Sequence, residues 1–211
     1  MIDRHLQESA TQRTLRRAVS ENNVDIRVVG RTMSADLKKI ADFFLQKLVT
    51  QAKFNSINYN SDQSLLFPDF LATARSCIEK YKDAHLGQDI SFTETYRSNA
   101  LQLKHYNNGA SKIKANGMHH YGIAADSIFV VGGKKTYKGD VVGLRKIYKE
   151  NGLFILGMWD ALHVQFIPVE EQAALRNTVK EKLIAFQKAN GLAQTGEVDA
   201  ATIAAAKKKF S

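Results

Sequence analysis

The spacing of apolar residues divides this chain into a series of predicted elements. Six stretches carry the apolar spacing, capping residues or breakers that are typical of helices. The predicted helices cover residues 34–48, 68–86, 99–106, 140–150, 169–190 and 199–209. Between them, apolar and polar residues alternate, or short apolar runs occur, as in strands. The predicted strands cover residues 90–96, 123–131, 153–158 and 162–167.

The composition and the predicted secondary structure change twice along the chain, which predicts three regions. Residues 1–66 begin polar and basic, contain one predicted helix, and end in a loop rich in Asn, Ser and Asp. Residues 67–168 contain all the predicted strands. From Val169 the sequence is helical, with a break at Gly191. We therefore predict an N-terminal helical extension of unknown role (1–66), a central domain (67–168) and a short C-terminal helical segment (169–211).

Composition and charge narrow the class of protein. The chain has 211 residues, of which 44% are hydrophobic, enough for one full domain core and a small appendage. The formal net charge of +9 favours anionic partners: nucleic acid, acidic lipid headgroups or an anionic cell wall. The chain lacks both zinc-finger cysteine spacing and a basic helix interleaved with base-stacking aromatics, so we expect no nucleic-acid partner.

Cysteine content and hydropathy indicate the cellular compartment in which the chain is made. Cys77 is the only cysteine, so no internal disulfide can form, and its place on the apolar stripe of the second helix predicts a buried structural thiol. Residues 1–8 lack the apolar core of a secretory signal, and no run of about 18 apolar residues predicts a membrane span. We expect synthesis in the cytoplasm without a signal peptide, and no membrane insertion.

Two short motifs carry the most informative chemistry, since they supply two imidazoles and two carboxylates. They read His119-x-x-Gly122-x-Ala124-x-Asp126 and Trp159-Asp160-x-x-His163. If Asp126 lies on a strand and His119 on the loop that enters it, both can face one point. His163, on a separate strand, would complete three ligands. Three protein ligands with an open fourth position suit a catalytic zinc ion.

Two further residues fit a hydrolytic mechanism at such a site. Asp160 could stand beside the metal without binding it and pass a proton from water to a leaving amine. Arg97 could stabilise an oxyanion by charge-assisted hydrogen bonds. Each residue also has a plain alternative: Asp160 and His163 could form a surface ion pair, and Arg97 could be solvated. His120 is adjacent to His119 and could be the true ligand.

The combined pattern resembles the D-alanyl-D-alanine carboxypeptidase and L-alanyl-D-glutamate endopeptidase family of zinc peptidases, which act on peptidoglycan stem peptides. The family motif is S-x-H-x-x-G-x-A-x-D, then a tryptophan and D/E-x-x-H, often preceded by Y-R-S, here Tyr96-Arg97-Ser98. The resemblance covers about residues 68–168 and implies an α+β fold, a small antiparallel sheet with packed helices.

The resemblance also implies roles for individual residues. His119, Asp126 and His163 would bind zinc. Asp160 would be the catalytic carboxylate, and Arg97 would bind substrate or the oxyanion.

Four positions depart from the family pattern. Gly117 stands where the family has serine, which puts a supporting hydrogen bond to the metal site in doubt. Leu162 replaces a frequent proline, and Val164-Gln165 matches only loosely. A tryptophan such as Trp159, taken alone, is most often a core residue.

The C-terminal segment has a resemblance of its own. Residues 185–192 (AFQKANGL) and 195–202 (TGEVDAAT) look like the second half of a helical peptidoglycan-binding module. The usual first half is not evident in the sequence. The alternative is a helical hairpin that packs on the main domain.

These patterns lead to one main hypothesis: a zinc-dependent peptidoglycan endopeptidase or D,D-carboxypeptidase. Because no signal peptide is seen, we expect it to reach the wall as a phage lysin or an injected effector. Residues 1–66 could be the segment that delivery machinery recognises. The alternative is a non-catalytic peptidoglycan-binding or metal-stabilised structural protein, which retention of the complete ligand set and Asp160 disfavours.

Overall fold

The computed structural model describes residues 36–211, and residues 38–211 form one compact unit. The predicted helix cap Ser34 lies outside the described residues. Helix α1 is described from residue 36 and ends in a π-helical turn, Phe44–Leu48. The predicted region boundaries after residues 66 and 168 stay predictions.

The remaining helices follow the sequence prediction closely, because their ends carry recognisable capping residues. Pro68 stands in the first turn of α2, where its missing N–H costs nothing. Side chains of Ser98, Asp140 and Asp199 each accept a hydrogen bond from a backbone N–H of the first turn of α3, α4 and α6. The helices are α2 (Pro68–Ala84), α3 (Asn99–Asn107), α4 (Val141–Glu150), α5 (Gln172–Ala189) and α6 (Ala200–Phe210).

A small antiparallel sheet lies among these helices, and the expected α+β class is confirmed. Its strands are β1 (Gln88–Glu94), β2 (Ala124–Val131), β3 (Lys134–Thr136) and β4 (His163–Gln165). β2 pairs with β1 along one side. On its other side, β3 pairs with the C-terminal part of β2, and β4 pairs with its N-terminal part.

The predicted strand over residues 153–158 is wrong. The structure has there only an isolated bridge between Phe154 and Gln165, followed by a 3₁₀ turn, Met158–Asp160. The guanidinium of Arg145 donates hydrogen bonds to the carbonyl oxygens of Leu156 (2.5 Å) and Ala161 (3.0 Å). These carbonyls are therefore satisfied by a side chain and not by a neighbouring strand.

Alternation along β2 separates a helix-covered face from the face that carries the candidate site. Ser127 Oγ is 2.9 Å from Tyr148 Oη of α4, and the ring of Phe129 lies 5.7 Å from that of Tyr81 in α2. Successive side chains of a strand point to opposite faces, so Asp126 projects away from these helices.

Cys77 is fully buried on α2, as predicted. Burial raises the pKa of its thiol to about 11, so the thiol is protonated at neutral pH.

The C-terminal helices pack on the end of α1. The Phe44–Leu48 turn contacts both α5 and α6, and Phe186 and Phe210 join α5 to α6 with ring centroids 6.0 Å apart. The predicted C-terminal segment therefore belongs to the same compact unit as the sheet. Within residues 36–211, no helix has the length and apolar character needed to cross a bilayer.

Candidate metal centre

A row of three polar side chains crosses the sheet at one level. Glu94 of β1 pairs with Asp126 of β2, and Asp126 pairs with His163 of β4. Directly paired residues share a face of the sheet. The three side chains therefore lie side by side on the face turned away from α2 and α4.

His119 joins this row from a 3₁₀ turn, Met118–Tyr121, that precedes β2. The turn ends at Gly122 in the left-handed conformation (φ 68°), which favours glycine. A Cβ at Gly122 would overlap the carbonyl oxygen of Leu65. Gly122 therefore allows the close approach that brings His119, 4% exposed, to the sheet.

Three potential metal-ligand atoms lie at nearly equal distances from one another. His119 Nε2 is 3.2 Å from Asp126 Oδ1, His163 Nδ1 is 3.1 Å from the same oxygen, and the two ring nitrogens are 3.3 Å apart. A tetrahedral zinc ion with bonds of about 2.0–2.1 Å holds neighbouring ligand atoms about 3.3 Å apart. The residues present therefore fit a zinc ion in both donor type and spacing.

The second oxygen of Asp126 faces Arg97, with Oδ2 3.3 Å from Nη2. Burial alone would raise the pKa of Asp126, but the charges and hydrogen bonds of His119 and His163 outweigh it. Together they hold the pKa well below its usual value. Asp126 is thus a carboxylate whose Oδ1 and Oδ2 have different partners.

Besides its contact with Asp126, Arg97 is held by Glu94 and Gln102. Its Nε donates to Glu94 Oε2 at 3.0 Å, its Nη2 also contacts that oxygen, and its Nη1 donates to Gln102 Oε1 at 3.2 Å. Burial would lower the pKa of Arg97, but the hydrogen bond and charge of Glu94 raise it. The solvated alternative is wrong, since the side chain is only 17% exposed. Its role toward substrate stays a prediction.

His120 is directed away from the three donor atoms. Its ring lies among Phe44, Phe54 and Tyr96, at centroid distances of 5.2 to 5.9 Å, and Nδ1 donates to the carbonyl oxygen of Arg97 at 3.3 Å. Burial lowers the pKa of His120 to about 4. The structure thus gives His120 a place in an aromatic cluster and leaves His119 at the candidate metal centre.

Asp160 lies at the rim of the centre. Its Oδ2 is 4.0 Å from His163 Nδ1, and its side chain is 38% exposed. Trp159 is 77% exposed, so the alternative of a core tryptophan is wrong. A Cβ at Gly157 would overlap the indole, which shows that the ring lies over the backbone of this glycine at the surface.

Sequence reasoning missed Glu94 because a β-bulge re-aims it. Ile90 and Phe92 pair with Phe129 and Ser127, but the register shifts between Phe92 and Glu94. Simple alternation would place Glu94 on the same face as Phe92, whereas the bulge turns it to the face of Asp126. A signal was present: Glu94 is a charged residue that continues an apolar series.

The expected departure at Gly117 also has a structural counterpart. A Cβ at Gly117 would lie 3.2 Å from Ile113 Cδ1 and 3.3 Å from Gln102 Oε1. The position is therefore tight for any larger residue, and the oxygen that accepts from Arg97 is its nearest polar neighbour.

Comparison with known proteins adds one family match. Residues 163–206 match the family model described as a putative peptidoglycan binding domain. The match supports the predicted resemblance of the C-terminal segment and begins earlier, at His163. The sequence has no match among curated proteins. Among solved structures, the chain is similar to the Serratia marcescens L-Ala D-Glu endopeptidase ChiX, with a TM-score of 0.40 and 19% sequence identity, over 53% of this chain and 92% of that chain.

Proposed function

We propose that this chain is a zinc-dependent hydrolase that cleaves an amide bond in the stem peptide of bacterial peptidoglycan. The observation that carries the proposal is the triangle of His119 Nε2, Asp126 Oδ1 and His163 Nδ1, with edges of 3.1 to 3.3 Å. Three such ligands leave a fourth position open, as in catalytic zinc sites.

Bound zinc supplies Lewis acidity there, since it lowers the pKa of water and polarises a carbonyl group. Asp160 supplies the proton transfer. Its carboxylate is close to the centre and still open to solvent, so it can accept a proton from the attacking water and deliver it to the leaving amine.

Arg97 in this proposal holds Asp126. Glu94, Gln102 and Asp126 engage four of the five N–H groups of its guanidinium. By binding Oδ2 of Asp126, Arg97 leaves Oδ1 for the metal. One N–H of Nη1 remains for a substrate oxygen, which is the oxyanion role expected from the sequence.

The proposal that the substrate polymer is peptidoglycan rests on the C-terminal segment. The family match over residues 163–206 supports peptidoglycan as the partner, and a net charge of +9 suits an anionic wall. A second candidate function, peptidoglycan binding without catalysis, is favoured by the same match. Delivery to the wall by lysis or injection remains part of the proposal.

The test is product analysis of the purified full chain with defined muropeptides. We expect amide hydrolysis in the presence of zinc and its loss with a chelator, with the product masses separating endopeptidase from carboxypeptidase. Asp160→Asn should lose at least about 100-fold in rate while zinc binding persists.

The matched control is Asp89→Asn, because Asp89 is similarly exposed (48%) and lies at the far end of β1 from the centre. Its rate should equal that of the unaltered chain. Peptidoglycan binding with no hydrolysis at any zinc concentration would refute the catalytic proposal and leave the binding function.

A further inference from the structure

We propose that Gln165 is a positioning residue that fixes the tautomer of His163, so that Nδ1 presents a lone pair to the metal centre. The inference rests on the proposed function, because it assumes that this centre holds zinc. It also concerns α5, because Gln165 is oriented in part from the first turn of that helix.

The orientation of the Gln165 amide is set by its own hydrogen bonds. Nε2 of Gln165 donates to the carbonyl oxygen of Ile167 at 2.6 Å, and the residue is 1% exposed. Oε1 therefore faces His163 Nε2 at 3.3 Å. An amide oxygen can only accept, so His163 must carry its proton on Nε2.

The consequence appears at the other ring nitrogen. A neutral imidazole with its proton on Nε2 has a bare lone pair on Nδ1. That nitrogen lies 3.1 Å from Asp126 Oδ1, another acceptor. Nδ1 and Oδ1 would then present their lone pairs to the same point, where a bound cation would be held by both.

Gln165 is unusual in this centre, because the second ring has no corresponding partner. His119 Nδ1 is buried and has no hydrogen-bond partner among residues 36–211. Of the two imidazoles, His163 is therefore the one whose tautomer the described part of the chain determines.

Hydrogen bonds between side chains connect the amide of Gln165 to α5. Arg176 Nη2 donates to Gln172 Oε1 at 3.2 Å, and a guanidinium never accepts. The Nε2 of Gln172 is thereby directed to Gln165 Oε1, at 3.3 Å. The orientation of Gln165 is thus fixed from both sides, by Ile167 and by Gln172 at the start of α5.

The test compares zinc affinity in variants of the full chain, measured by competition with a chromophoric chelator. Gln165→Met keeps a side chain of similar length but has no amide acceptor, and we expect about 10- to 100-fold weaker zinc binding. Gln165→Glu retains an acceptor for His163 Nε2–H but loses the donor to the Ile167 carbonyl, and we expect zinc binding to be weakened clearly less than in Gln165→Met.

The matched control is Gln187→Met. Gln187 is also fully buried, and it hydrogen-bonds Gly196 and Glu197 in the loop between α5 and α6. We expect it to lose stability without a change in zinc affinity, so the comparison separates positioning from general damage.

A second readout is the tautomer of His163, determined by long-range ¹H–¹⁵N NMR in the chain without added metal and again with zinc. We expect the proton on Nε2 in both states, and its fixed position lost in Gln165→Met. An Nε2 of His163 without a proton in the metal-free chain, or unchanged zinc affinity in Gln165→Met, would overturn the inference while the proposed function stands. If the unaltered chain binds no zinc, the proposed function fails, and the NMR result still decides whether Gln165 sets the tautomer.

Discussion

Replacing His120 by Phe should remove a defined part of the pH dependence of folding. Burial lowers the pKa of His120 to about 4, whereas an unfolded histidine titrates near about 6.5. Because the folded pKa is the lower one, the unfolded chain binds more protons in acid. The stabilising contribution of the neutral ring is full above about pH 6.5 and is lost as the pH falls toward about 4. Between pH 7 and pH 5 the linkage relation gives a loss of about 2 kcal/mol from this one group.

The assay is urea unfolding of the unaltered chain and His120→Phe at pH 7 and pH 5, with chelator present in every sample. The variant loses the hydrogen bond to the carbonyl of Arg97, which costs about 1 kcal/mol at either pH. Other titrating groups are common to both chains, so the difference in unfolding free energy should shift by about 2 kcal/mol in favour of the variant at pH 5. A difference that stays constant with pH would refute the reasoning. Zinc affinity should survive His120→Phe and be abolished in His119→Phe; the reverse pattern would make His120 the ligand.

Three further outcomes follow from the packing. Gly122→Ala should destabilise the fold by at least about 2 kcal/mol, because residue 122 has a positive φ and the added Cβ would overlap a backbone carbonyl. Gly191 has a similar φ but open space around it, so Gly191→Ala should cost only about 1 kcal/mol in the same urea titration. Glu94→Gln removes one of the two carboxylates that pair with the buried guanidinium of Arg97 and should cost roughly 3 kcal/mol, so an unchanged melting curve would contradict the assigned pair. Iodoacetamide at pH 8 should leave native Cys77 unmodified and label it rapidly in urea, as read by intact mass, and rapid labelling of the native chain would contradict its burial.

The helices were predictable because their signals are local. Asp140 caps α4 within three residues of its own position, and Pro68 occupies the first turn of α2. The strand expected over residues 153–158 failed because Arg145, from a different element, takes the carbonyl oxygen of Leu156 that a sheet partner would need. β3 was missed because Lys134–Thr136 has no apolar alternation and is mostly exposed.

The three candidate metal ligands were predictable from motif spacing, since the motif fixes both residue type and position. Glu94 was not, because the bulge in β1 depends on pairing with β2. In the sequence, Gln165 is only a loose match to the family pattern, because its significance depends on the direction of hydrogen bonds to Ile167 and Gln172. Such directions arise from tertiary packing and leave no trace in the spacing of residues.

The intrinsic fluorescence of Trp159 can report ligand binding near the centre. It is the only tryptophan in the chain, it is 77% exposed, and it stands next to Asp160 at the rim of the centre. Its fluorescence should therefore be that of an indole in water, and any ligand that covers the ring should shift the emission to shorter wavelength. Dissociation constants can then be read by titrating unlabelled wall fragments, with no background from other indoles.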